Sequence, residues 1–94
     1  MTLYQLKVWT IAAKHQSLTK AAGELHISQP SVWHHINLLK NEYRINLYKG
    51  SSGRKIQITR EGKLFVKYAA NVLLQVKKLD NKFKGKRKKK GKQK

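Results

Sequence analysis

The chain has 94 residues, 39% of them hydrophobic, enough for one small core with a tail but not for two cores. With no cysteine it has neither a disulfide framework nor a thiolate metal site. Its 22 lysines and arginines face 4 carboxylates, a formal charge of +18; Glu24, Glu42, Glu61 and Asp80 are scattered, so paired acid–base catalysis is not expected and the chain is read as a non-enzyme with no cofactor. Such a charge is relieved on a polyanion, either nucleic acid or an anionic membrane surface. The amino terminus lacks a continuous apolar run of signal-peptide type, and no stretch is long enough to span a bilayer.

Leu3, Leu6, Trp9 and Ala13 recur at three and four residues, which predicts a first helix with that face on the core and Lys7 and Lys14 off it. Ser17 is placed to cap a short second helix whose Ala21, Ala22 and Leu25 turn inward, with Gly23 costing some stability. Ser28 is expected to cap a third helix, and Pro30 fits its first turn, where a missing N–H is not needed. Val32, Ile36, Leu39 and Tyr43 form the predicted buried stripe of that helix. Pro30, His34, Asn37 and Asn41 then point outward, with Trp33 and Arg44 on one shoulder and Leu38 on the other. A short helix, a tight turn and a longer helix with a polar outer face make a helix-turn-helix.

Residues 45–49 (INLYK) and 55–58 (KIQI) alternate apolar and polar and flank the loop GSSGR, the pattern of a small β-hairpin, or wing. Thr59 can cap a long helix from Arg60 in which Phe65, Ala69, Val72, Val76, Leu79 and Phe83 repeat as a heptad seam. The seam runs beyond what so small a domain can cover, so it is expected to make a homodimer, with intramolecular packing as the alternative. From Lys77 onward the sequence is low-complexity and holds 11 of the 22 cations, and its distal part is expected to be disordered alone. The fold class is thus mostly α: a winged helix-turn-helix over 1–59 (three-helix core plus β-hairpin wing), a long dimerisation helix over 60–83 and a polybasic tail over 84–94.

The S-L-T-x-A-A run at the start of the second helix, the L-H-I-S-Q-P-S junction and the I-T-x-x-G start of the long helix together resemble the amino-terminal DNA-binding domain of LysR-type transcriptional regulators. The resemblance covers roughly residues 1 to 80. It implies a winged helix-turn-helix, a dimer built by pairing long helices, and binding to partly palindromic promoter DNA. Three departures stand out. A basic tail follows where the family continues into an effector-binding domain, so no small-molecule effector is expected. Trp33 and His34 replace the common small serine and basic residue, Trp33 being similar instead to ModE-type winged domains. Gly50 stands where an arginine is common, although Arg54 remains.

The expected DNA-binding set follows from these placements. Gln29 can pair bidentately with adenine or bond a phosphate; Thr19 and Ser31 can donate to phosphates or serve as local caps, and Ser28 and Pro30 complete the helix start. Trp33 can pack on a thymine methyl or sugar, or fill a crevice between the second and third helices. His34 and Asn37 can contact phosphate or bases, whereas His35 lies nearer the buried stripe. A metal site at His34 and His35 is not expected, because adjacent helical residues diverge by about 100°. Arg54 and Lys55 at the wing tip can reach the backbone or minor groove. The seam of Phe65, Ala69, Val72, Val76 and Leu79 is the expected dimer interface. The resulting expectation is a cytoplasmic, nucleoid-associated, dimeric, sequence-specific regulator that binds double-stranded DNA, lacks a sensor domain and does not engage membranes. Its rivals are an architectural DNA-binding protein of little specificity and a peripheral membrane protein held by the tail.

Overall fold

The computed structural model describes residues 1–50 and 55–93, with side chains as far as residue 84. Among them the order is α1 (Leu3–His15), α2 (Leu18–Leu25), α3 (Gln29–Tyr43), β1 (Tyr48–Lys49), β2 (Gln57–Ile58) and α4 (Arg60–Gln93). The fold is mostly helical with a two-stranded antiparallel hairpin, the winged helix-turn-helix expected from the sequence.

Local chemistry starts each helix. The Thr2 hydroxyl accepts from the Gln5 backbone N–H at 3.1 Å while the Gln5 side-chain carbonyl accepts from the Thr2 N–H at 3.0 Å, a reciprocal capping box. Ser17 caps α2 by accepting from the Lys20 N–H at 3.1 Å. Ser28 caps α3 by accepting from the Ser31 N–H at 3.2 Å, and Pro30 lies in the first turn. The first three helices end on left-handed residues, Gln16, His26 and Arg44, with φ of 51°, 58° and 55°. Each reverses the chain within a residue and satisfies helix-end carbonyls without a glycine.

α1 is the central element, packed against α2, α3 and α4. That position corrects the expected stripe. Leu3 is exposed, whereas Val8, Ile11 and Ala12 are buried with Leu6 and Trp9, because neighbours on several sides bury more than one face. Ala21, Ala22, Val32, Ile36 and Leu39 complete the helical core, and Leu25 packs partly buried on it. Tyr43, expected in the α3 stripe, is also exposed. The helix runs out beyond the core there, and the ring meets Phe65 of α4 edge to face at 5.4 Å.

The wing pairs Tyr48 with Ile58 and Lys49 with Gln57, burying Leu47, Tyr48 and Ile56. Its returning strand also engages the α1–α2 corner: Lys55 bridges Ser17, and the Ile56 N–H donates to the Gln16 carbonyl at 3.2 Å. Gly50 holds φ at 68°, a backbone state that glycine adopts at no steric cost, which suits a glycine where the family commonly has arginine.

The root of α4 explains the I-T-x-x-G run. The Thr59 N–H donates to the Leu47 carbonyl at 3.1 Å, its hydroxyl donates to the Asn46 carbonyl, and its oxygen accepts from the Gly62 N–H at 2.9 Å. The backbone of Gly62 lies so close to β1 that a Cβ there would stand 2.0 Å from the Leu47 carbonyl oxygen. The Trp9 indole N–H donates to the Gly62 carbonyl at 3.3 Å, so α1, the wing and α4 meet at one glycine. From this root α4 continues as a helix to Gln93, past the expected boundary at residue 83.

Candidate nucleic-acid interface

Two surfaces join at the start of α2. The first is an open cleft of about 1060 Å³ between the α1–α2 corner and the wing, lined by Lys20, Lys49, Lys55 and Lys63 together with Thr19, Gln57 and the backbone of Gly50. Among the described residues no carboxylate lines it. Glu24, nearby on α2, is held by His15 at 2.6 Å and Lys14 at 3.1 Å. Hydrogen bonds from His15 first, and then from Lys14, hold its carboxyl below the usual carboxylate range. Four lysines lining one concavity attract anions.

The second surface is the outer face of α3. Thr19 connects the two, since it lines the cleft and its hydroxyl donates to the Gln29 side-chain oxygen at 3.2 Å. Gln29 is half-buried at the helix start and Pro30 is exposed. Ser28 and Ser31 are engaged locally: the Ser28 hydroxyl donates to the Ser31 oxygen at 2.9 Å. Asn37 is half-buried and shares a recess of about 490 Å³ with Lys40, Asn41, Arg44 and Asn46. His34 is exposed, while His35 is half-buried, edge-on to Tyr4 at 5.1 Å, with a buried Nδ1 that has no partner. Among the described residues no three His, Cys, Asp or Glu side chains gather as metal ligands.

Trp33 does not fill a crevice between α2 and α3. It is 48% exposed; burial raises the Tyr48 phenol above its ordinary value, and the nearby Trp33 indole partly offsets this. Lys55 is likewise not a tip residue, because its bridge to Ser17 sets it against the α1–α2 corner, facing the cleft. Arg54 lies outside the described residues. Lys20, Lys49 and Lys63 were missing from the sequence-based set. They lie on three different elements, and single lysines carry no local signal that they converge.

The seam on α4 divides. Ala69 is 2% exposed within the single chain, and Phe65 packs partly buried on the core, so these two are occupied by the domain itself. Val76 is half-buried, whereas Val72, Leu79 and Phe83 are exposed, as are Leu64 and Tyr68 on the same flank. Beside them Met1, Leu6, Tyr43, Ile45 and Phe65 line an apolar groove of about 380 Å³.

Residues 3–63 match the model of the bacterial regulatory helix-turn-helix proteins of the lysR family. The chain belongs to that family. Among curated relatives it is 36% identical over 73 residues to the HTH-type transcriptional regulator YxjO of Bacillus subtilis, covering 78% of this chain and 25% of that protein. It is 43% identical over 61 residues to the HTH-type transcriptional regulator DsdC of Escherichia coli, covering 65% of this chain and 19% of that one. The chain therefore spans about a quarter or less of the length of these relatives. Among solved structures, the BenM domain in complex with catB site DNA superposes with a TM-score of 0.83 at 33% identity, over 89% of this chain and 92% of that chain. Full-length CbnR complexed with its target DNA gives 0.81 at 26% identity, over 87% and 28%. These lysR-family relatives are regulators rather than enzymes. Among the described residues no helix is long and apolar enough to cross a membrane.

Proposed function

We propose that this lysR-family chain binds double-stranded DNA sequence-specifically as a homodimer and acts as the DNA-reading part of a transcriptional regulator at the bacterial nucleoid. The observation that carries the reading is Thr19, which lines the lysine cleft and bonds Gln29 at the start of α3. A phosphate backbone lying along Lys20, Lys49, Lys55 and Lys63 would set the outer face of α3 against base edges in the major groove. Gln29, Trp33, His34 and Asn37 are the candidates for base contact. Ser28, Pro30 and Ser31 shape the helix start, Thr19 positions Gln29, and Arg54 is retained as a wing contact from its place in the sequence.

The homodimer uses the free edge of α4. Val72, Leu79 and Phe83, with Val76 beside them, would pack on a second copy, while Phe65 and Ala69 support that edge from within the domain. Two copies related by a two-fold axis present two reading helices to a site of matching symmetry.

Selection of bound fragments from a random duplex pool tests the reading. A recovered palindrome of two half-sites supports both specificity and dimer symmetry. Recovery of unenriched sequence would favour the architectural rival, for which the cations from Lys77 onward would dominate binding. Flotation with anionic liposomes but no DNA retention would favour the membrane rival.

A further inference from the structure

Trp33 differs in kind from its neighbours on the outer face of α3. Pro30, His34, Asn37 and Asn41 are small or polar, whereas Trp33 is a large flat ring left 48% exposed. An indole carries a single polar atom, its N–H, so most of what an exposed Trp33 ring offers outward is carbon. On a helix with 3.6 residues per turn Trp33 lies about 40° from Asn37 and about 60° from Pro30, on a shoulder of the outer face rather than on its crest.

The apolar group that B-DNA displays in its major groove is the 5-methyl of thymine, and it marks that base uniquely among the four. An exposed carbon face on the shoulder of an inserted helix is complementary to it, whereas amide and imidazole groups on the crest suit polar base edges. We propose that Trp33 is a specificity-determining residue that recognises thymine through its 5-methyl group. The proposal rests on the DNA-reading function above and adds to it the base and the chemical group that this position selects.

The test uses the full chain and the duplex recovered from the random pool. Each thymine is replaced in turn by deoxyuridine, which removes the methyl and leaves base pairing intact. Covering one methyl contributes about 0.8 kcal/mol, or about fourfold in affinity. Wild type is expected to lose about that factor at one thymine per half-site and to be indifferent elsewhere. W33S should bind the thymine and uracil duplexes equally, while W33F, which keeps a carbon face without the N–H, should retain a preference for thymine. The chain has two tryptophans and Trp9 is 0% exposed, so acrylamide quenching reports on Trp33 and should fall when the selected duplex is bound. Wild type insensitive to every uracil substitution, W33S with the same thymine-to-uracil ratio as wild type, or quenching unchanged by DNA would each overturn the proposal. Binding selected and scrambled duplexes alike is a different failure, because it removes the DNA-reading function itself.

Discussion

At the scale of single residues, Gly62 is the position most constrained by backbone approach. A methyl 2.0 Å from the Leu47 carbonyl oxygen cannot be absorbed by rotating a side chain, since the opposing atom is main chain. Gly62→Ala should therefore force α4 away from β1 and strain the Trp9 bond to the Gly62 carbonyl. We expect a loss of roughly 1–3 kcal/mol or more, the usual range for overpacking, seen as a lower midpoint in urea. Thr59→Ala should cost about 0.5–2 kcal/mol through loss of the cap and Thr59→Ser much less. Glu24 makes a pH prediction. Its carboxyl is held below the ordinary value of 4.5, so its pairing adds stability that is present above that pH and lost as pH falls through the lowered value. E24Q should therefore lower stability slightly at neutral pH and converge on wild type as pH falls through the lowered value, which flattens the acid limb of a thermal-stability profile below about pH 4.5; the effect is small because the group is solvent-exposed.

At the scale of elements, what could be read from the chain was what is encoded locally. Ser17, Ser28 and Thr59 each begin a helix through a bond to the residue three ahead, and Val32, Ile36 and Leu39 disclose the buried face of α3 by period alone. Leu3 and Tyr43 were misplaced because burial at helix ends depends on which other elements arrive there. The lysine cleft and the seat of Lys55 against Ser17 depend on contacts between distant residues that no local pattern announces. The seam of α4 was legible as a stripe, but not where the domain's own share of it ends, which the burial of Ala69 marks. This division sharpens the assembly prediction. Val72→Asp with Leu79→Asp alters only the exposed edge, so the domain should stay folded by circular dichroism while sedimentation shows monomers that bind a two-half-site duplex weakly. A wild type that sediments as a monomer at high concentration would contradict the dimer.

At the scale of the whole molecule, a charge of +18 on 94 residues raises the question of how much binding is reading and how much is attraction. The two have separate carriers: a patterned face on α3 and an unpatterned run of cations from Lys77. Removing residues 84–94 should weaken binding to every duplex alike and flatten the salt dependence, since each phosphate that the tail no longer neutralises changes the log–log slope by about 0.9. Sequence preference should survive. The central claim, that the start of α3 reads bases, is tested most directly by titrating wild type and Gln29→Ala against the selected and a scrambled duplex across a salt series. The substitution should cost roughly 1–3 kcal/mol on the selected duplex and leave the scrambled one and the salt slope nearly unchanged. Equal weakening on both duplexes, or a wild type that does not distinguish them, would contradict it.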